Sequence, residues 1–187
     1  MDEPGTRAAI GRALLELLAE GRAVSYGATA SRAGVSKGLV QHYFPDRTRL
    51  VRFAATTLAA RLGERLRGAV ADPATDAATT LADALVALLP ATPDSRLDEA
   101  AGRALFALAL TDPQTNRDYR DGRRAVAGLV RDLLAAAAPE RGPGWLAATA
   151  RDLLGTLAEL GTDLVLGELT ADEATTALRG RVRDAVA

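Results

Sequence analysis

Apolar positions along the chain recur three and four residues apart, and no run alternates with period two over the length of a strand. The pattern predicts an all-α protein. Ile10, Leu14, Leu17 and Leu18 form the stripe of a first helix that follows Pro4 and is ended by Gly21. Ser25 can cap a short second helix through Arg32, Gly34 offers a left-handed turn, and Ser36 can cap a third helix through Tyr43. Pro45 and Asp46 then break the chain and restart it into a long fourth helix with Leu50, Phe53, Leu58, Leu62 and Leu66 toward a core. ADPATD, residues 71–76, reads as a short joint, and further helices are expected at about 76–89, 95–111, 112–138, 143–167 and 170–186. About nine helices result, four before the joint and five after. Asp112-Pro113 has the form of a cap followed by proline in the first turn, and Thr170 with Glu173 that of a capping box.

Composition narrows the function classes. With 48% of its 187 residues apolar the chain can bury a substantial core. No apolar run approaches the roughly 18 residues of a bilayer span, and the N-terminus begins acidic without the charged-then-apolar order of a signal peptide, so a cytoplasmic protein with no membrane partner is expected. The absence of cysteine removes disulfides, thiolate nucleophiles and cysteine-ligated zinc. With a single histidine and no HExxH, phosphate-loop or GxSxG pattern, neither an enzyme nor a metal or cofactor site is expected. The net charge of −1 hides an asymmetry: residues 1–67 carry 11 Lys/Arg against 6 Asp/Glu, and residues 68–187 carry 12 against 18. A basic head on an acidic body suits a protein of which one end meets phosphate. Of the 23 basic residues all but Lys37 are arginine, which makes that lysine the informative one.

Two short helices meeting at a tight glycine turn are a device for presenting the start of the second to the DNA major groove. Leu39, Val40 and Phe44 form the buried stripe of the third helix, which leaves Lys37, Gly38, Gln41 and His42 facing elsewhere. The run RAGVSKGLVQHYFPDRTRL, residues 32–50, resembles the signature of the tetracycline-repressor (TetR) family of bacterial transcription regulators, and the match extends over residues 6–52. The QHYF form, with LGELTADEA near the end, is similar to the branch that includes choline-responsive repressors.

The resemblance implies a helix-turn-helix DNA-binding domain at residues 1–45 and a helical regulatory and dimerisation domain at 46–187, connected by the helix at 46–70. It further implies that Lys37 and Gly38 approach base edges or adjacent phosphates and that His42 and Tyr43 bond phosphate oxygens. Ser25 and Ser36 would cap helices whose first amides grip phosphate, and Arg47 would reach the DNA backbone. Gln41 stands where many relatives carry tyrosine, which removes a phosphate anchor and offers a bidentate adenine contact. Gly27 and Thr29 occupy places where a better helix former and a branched aliphatic residue are expected.

One recognition helix covers only a few base pairs, whereas a dyad-related pair reads half-sites about 34 Å apart, so a homodimer on a double-stranded, inverted-repeat operator is expected. Leu153, Leu157, Leu160 and Leu164, with Leu178 and Val182 of the last helix, form the stripes that the resemblance assigns to a four-helix dimer interface. Internal core is the other use for the same leucines. The family's second function is a small-molecule pocket in the body, for which Arg103, Phe106, Leu110 and Trp145 are the candidates. Only Phe106, Tyr119 and Trp145 are aromatic after residue 67, too few to infer a quaternary-amine cage, so the abundance of Leu and Ala points to an apolar effector. The function expected is a repressor released by that effector. The alternative is a helical small-molecule-binding protein that has lost operator binding, which Gly27 and Gln41 favour.

Overall fold

The computed structural model describes residues 3–70 and 76–187, in which nine helices and no strand are found. They are α1 Glu3–Ala19, α2 Tyr26–Ala33, α3 Lys37–Tyr43, α4 Arg47–Ala69, α5 Ala77–Val86, α6 Pro93–Ala109, α7 Pro113–Ala137, α8 Pro143–Leu166 and α9 Ala171–Val186. The proposed joint falls largely outside the described residues. None of the described helices is long and apolar enough to cross a membrane.

Local chemistry sets most boundaries. Gly21, Gly34 and Gly167 follow α1, α2 and α8 with φ of 66°, 68° and 78°, the left-handed backbone that glycine alone adopts without a steric penalty. Asp112 Oδ1 accepts from the Thr115 amide at 2.6 Å, and Thr170 with Glu173 forms the reciprocal capping box. Two ends differ from the periodic reading. Helix α5 stops at Val86 rather than 89, because the Leu88 and Leu89 amides bond the carbonyls three residues back and tighten the chain ahead of Pro90. Helix α6 begins at Pro93 rather than 95, because Thr92 Oγ1 accepts from the Ser95 amide at 3.2 Å while Ser95 Oγ accepts from the Thr92 amide at 2.9 Å.

The chain packs as two compact units. The first comprises Met1–Ala60 with Arg96–Gly122, the second Arg61–Ser95 with Arg123–Ala187. In the first, α1 packs on α2 and α2 on α3, and Ile10, Leu14, Leu15, Leu17, Val40 and Leu50 are all fully buried. In the second, α9 packs on α5 and α8 around a core that includes Leu81, Leu85, Leu134, Leu153 and Leu178.

Candidate nucleic-acid interface

Helix α2 starts where Ser25 takes an extended backbone and its Oγ accepts from the Ala28 amide at 3.2 Å. It stops where Gly34 and Val35 both donate their amides to the Ala30 carbonyl, so the chain reverses within three residues. Ser36 then repeats the device, its Oγ accepting from the Leu39 amide at 3.1 Å. With Val40 and Phe44 buried and Leu39 half-buried, α3 is rotated so that Lys37, Gly38, Gln41 and His42 are exposed. Tyr43 is half-buried, its ring 5.8 Å from that of His42 and 6.3 Å from that of Phe44. A Cβ placed on Gly38 would meet nothing within 4 Å, so the fold of this chain does not require glycine there.

Charges around these helices are arranged asymmetrically. The Arg32 guanidinium, at the end of α2, donates to both Glu20 oxygens at 2.7 Å and to Glu16 at 3.2 Å, binding α2 to α1. Hydrogen bonding from Arg32 holds the Glu20 carboxyl below its ordinary value, and the two carboxylates raise Arg32 further above its own. Arg12 also bonds Glu16 at 3.0 Å, Arg22 pairs with Glu20 at 3.7 Å, Arg49 with Asp46 at 3.5 Å, and Arg52 with Asp118 of α7 at 3.3 Å. Arg47, expected at the DNA backbone, is exposed but bonds the Val24 carbonyl through Nε at 3.2 Å, tying the start of α4 to the segment before α2. Arg7 lies over the rings of Phe53, Tyr43 and Phe44 at 5.2, 5.8 and 6.0 Å. The sequence pattern pointed to none of these partners.

Of the pocket candidates, Arg103, Phe106 and Leu110 belong to the first unit and Trp145 to the second. Arg103 pairs with Glu99 at 2.8 Å, and Phe106 is 48% exposed with its ring 5.7 Å from Tyr119. Leu110, 69% exposed, lies at the lip of an open depression that Asp112, Asn116, Arg117 and Arg120 also line. Trp145 is half-buried under the Arg141 guanidinium, 5.0 Å from its ring centre.

Leu153, Leu164, Leu178 and Val182 are at most 4% exposed and sit in the core of their own unit, while Leu157 and Leu160 pack half-buried against it. Side chains already enclosed by their own chain have no surface to offer a second copy. The exposed residues of α8 over this stretch are instead Arg151, Asp152, Gly155, Ala158, Glu159, Val165 and Leu166, with Thr162 half-buried among them. A period-3.6 reading identifies the apolar stripe, and this mixed face of small, charged and aliphatic residues lies opposite it.

No protein-family model and no curated protein matches the chain. Solved structures do. A transcriptional regulator of Rhodococcus sp. RHA1 superposes with a TM-score of 0.79 at 25% identity, over 95% of this chain and 94% of the other. A TetR-family member of Streptomyces coelicolor A3 gives 0.70 at 19% identity, over 96% and 97% of the two chains. A Saccharomonospora viridis protein described as a transcriptional regulator and solved in complex with choline gives 0.75 at 18%, over 97% of each.

Proposed function

We propose that this chain, whose fold is that of the TetR-family transcription regulators, is a DNA-binding repressor that reads an inverted-repeat operator as a homodimer and is released by a small apolar effector. The observation that carries the reading is the rotation of α3, which buries Val40 and Phe44 and leaves Lys37, Gly38, Gln41 and His42 open. With α3 in the major groove, Lys37 donates to guanine O6 or N7 and Gln41 pairs with adenine N6 and N7, while Gly38 lets the helix approach the groove floor. His42 and Tyr43 bond flanking phosphates, helped by amides at the starts of the two capped helices.

Pairing of two copies through the exposed face of α8, where Gly155 and Ala158 allow close approach, supplies the second half-site reader. An apolar effector fits a chain whose one tryptophan already has Arg141 over its ring, where a quaternary amine would otherwise sit. Such an effector releases DNA only to the extent that it prefers the conformer that binds DNA poorly. The test is selection of sites from a randomised duplex library with the purified protein, then a salt titration on the winner. Enrichment of an inverted repeat, with affinity falling steeply as salt rises, is the expected result. Folded protein that enriches no sequence would overturn the reading.

A further inference from the structure

Among the described residues 3–60 every arginine engages some other group of the chain. Arg12, Arg22, Arg32, Arg49 and Arg52 pair with carboxylates, Arg47 bonds a backbone carbonyl, and Arg7 lies over aromatic rings. Lys37 alone, exposed at the first position of α3, has no ion-pair or hydrogen-bond partner there. It is also the only lysine in the whole chain. The cations that hold this region are therefore guanidiniums, which stay protonated and do not react with activated acyl groups, and among the lysine and arginines of the described residues 3–60 the one without a partner is an amine, which does.

We propose that Lys37 is an acylation site and that its modification switches off DNA binding without disturbing the fold. The donor class is an activated carboxylate, an acyl thioester or an acyl phosphate. The neutral Nζ attacks the acyl carbonyl carbon and the C–N bond forms. The C–S or C–O bond to the leaving group breaks, and the thiol or phosphate departs carrying one amine proton, the other having passed to solvent when the ammonium became the neutral amine. The product amide has lost the positive charge and two donor hydrogens at the position nearest the bases, while every ion pair that supports α1 to α4 is untouched.

The inference rests on the regulator reading, and the experiment separates the two. Purified protein is treated with acetyl phosphate and, in a second arm, with acetyl-CoA, with and without the selected inverted-repeat duplex. Peptide mass mapping and anisotropy on the same duplex are the readouts. Expected are acetylation at Lys37, protection of that site by the duplex, unchanged thermal unfolding, and an affinity loss of about tenfold or more with a shallower salt dependence. Whichever arm modifies Lys37 identifies the donor class. Treatment should leave Lys37→Arg at its own starting affinity, whatever that is. Lys37 unmodified in both arms, acetylated protein that binds as tightly as untreated, or an equal treatment loss in Lys37→Arg would overturn the switch alone. Untreated protein that binds no duplex would overturn the regulator reading, and the switch with it.

Discussion

The two terminal nitrogens of Arg32 each lie 2.7 Å from an oxygen of Glu20, clamping the end of α2 to the end of α1. The pair gives this region a defined response to acid. Arg32 remains charged throughout, and its hydrogen bonds hold the folded Glu20 carboxyl below the ordinary 4.5. A lowered folded pKa means that the contribution is fully present above the unfolded value and disappears as pH falls through the folded one. Glu20→Gln should therefore lower the thermal midpoint slightly near neutrality and converge on the parent in acid. Asp76, Asp112 and Glu173 are also lowered, by the hydrogen bonds of their helix caps, so the parent loses stability in acid for several reasons. The informative curve is the difference between variant and parent from neutral pH to about pH 3; a constant difference would show that the clamp does not titrate.

Thr29 is wholly buried in α2, and its hydroxyl has no hydrogen-bond partner among the described residues. Replacing it with valine keeps the shape and removes an unsatisfied polar group, so Thr29→Val should stabilise by about 1 kcal/mol in thermal or urea unfolding. Gly27→Ala should add up to about 1 kcal/mol, since helix propensity rises. There is also room, because a Cβ at Gly27 would meet nothing within 4 Å. Gly34→Ala is the opposite case. Space is open there too, but φ is 68°, so alanine should cost about 1–2 kcal/mol through backbone strain alone. A destabilised Thr29→Val would mean that the hydroxyl does find a partner.

The sequence pattern located the ends of α2 and α3 because serine caps and a left-handed glycine act within four residues of where they stand. The same locality made the Thr170 box and the Asp112 cap readable. What was not readable depends on distant neighbours. Arg52 meets Asp118 across most of the first unit's length, and nothing near either residue announces the other. Leu153 and Leu178 illustrate a second limit: helical period says which face is apolar, while the packing of α5 and α8 on α9 decides that the face is consumed within the chain. Gly38 and the polar residues around it were readable as an exposed face for the converse reason, since Val40 and Phe44 take the buried side of α3.

Lys37→Ala and His42→Ala remove exposed side chains of α3, so both variants should unfold within about 0.5 kcal/mol of the parent. Both should bind the selected duplex more weakly, in different ways. Loss of a base contact at Lys37 should relax the preference at one position of each half-site by about 1–3 kcal/mol. Loss of a phosphate contact at His42 should weaken all sequences alike and leave the preference at each position unchanged. Anisotropy titrations on matched and single-mismatch duplexes at several salt concentrations separate the two. Parent-like affinity in both variants would remove α3 as the reading helix.

The pairing face can be tested without damaging the core if the substitution is placed by exposure rather than by periodicity. Leu157 is half-buried against the core of its own unit, so a charge there would confound unfolding with dissociation. Ala158, one position on, is exposed and lies between Gly155 and Thr162 on the outward side of α8. Arginine at this position projects a long charged side chain where Gly155 and Ala158 permit close approach, so Ala158→Arg should sediment as a monomer while keeping its helical content. Its affinity for a full inverted repeat should then fall toward that for one isolated half-site, because the second contact is no longer linked to the first. Half-site affinity itself should be unchanged, since Lys37, Gln41 and His42 are untouched. Dimers that persist in Ala158→Arg would move the pairing surface away from this face. Phe106 and Leu110, 48% and 69% exposed on α6 and the connection that follows it, would then be the apolar side chains to substitute next.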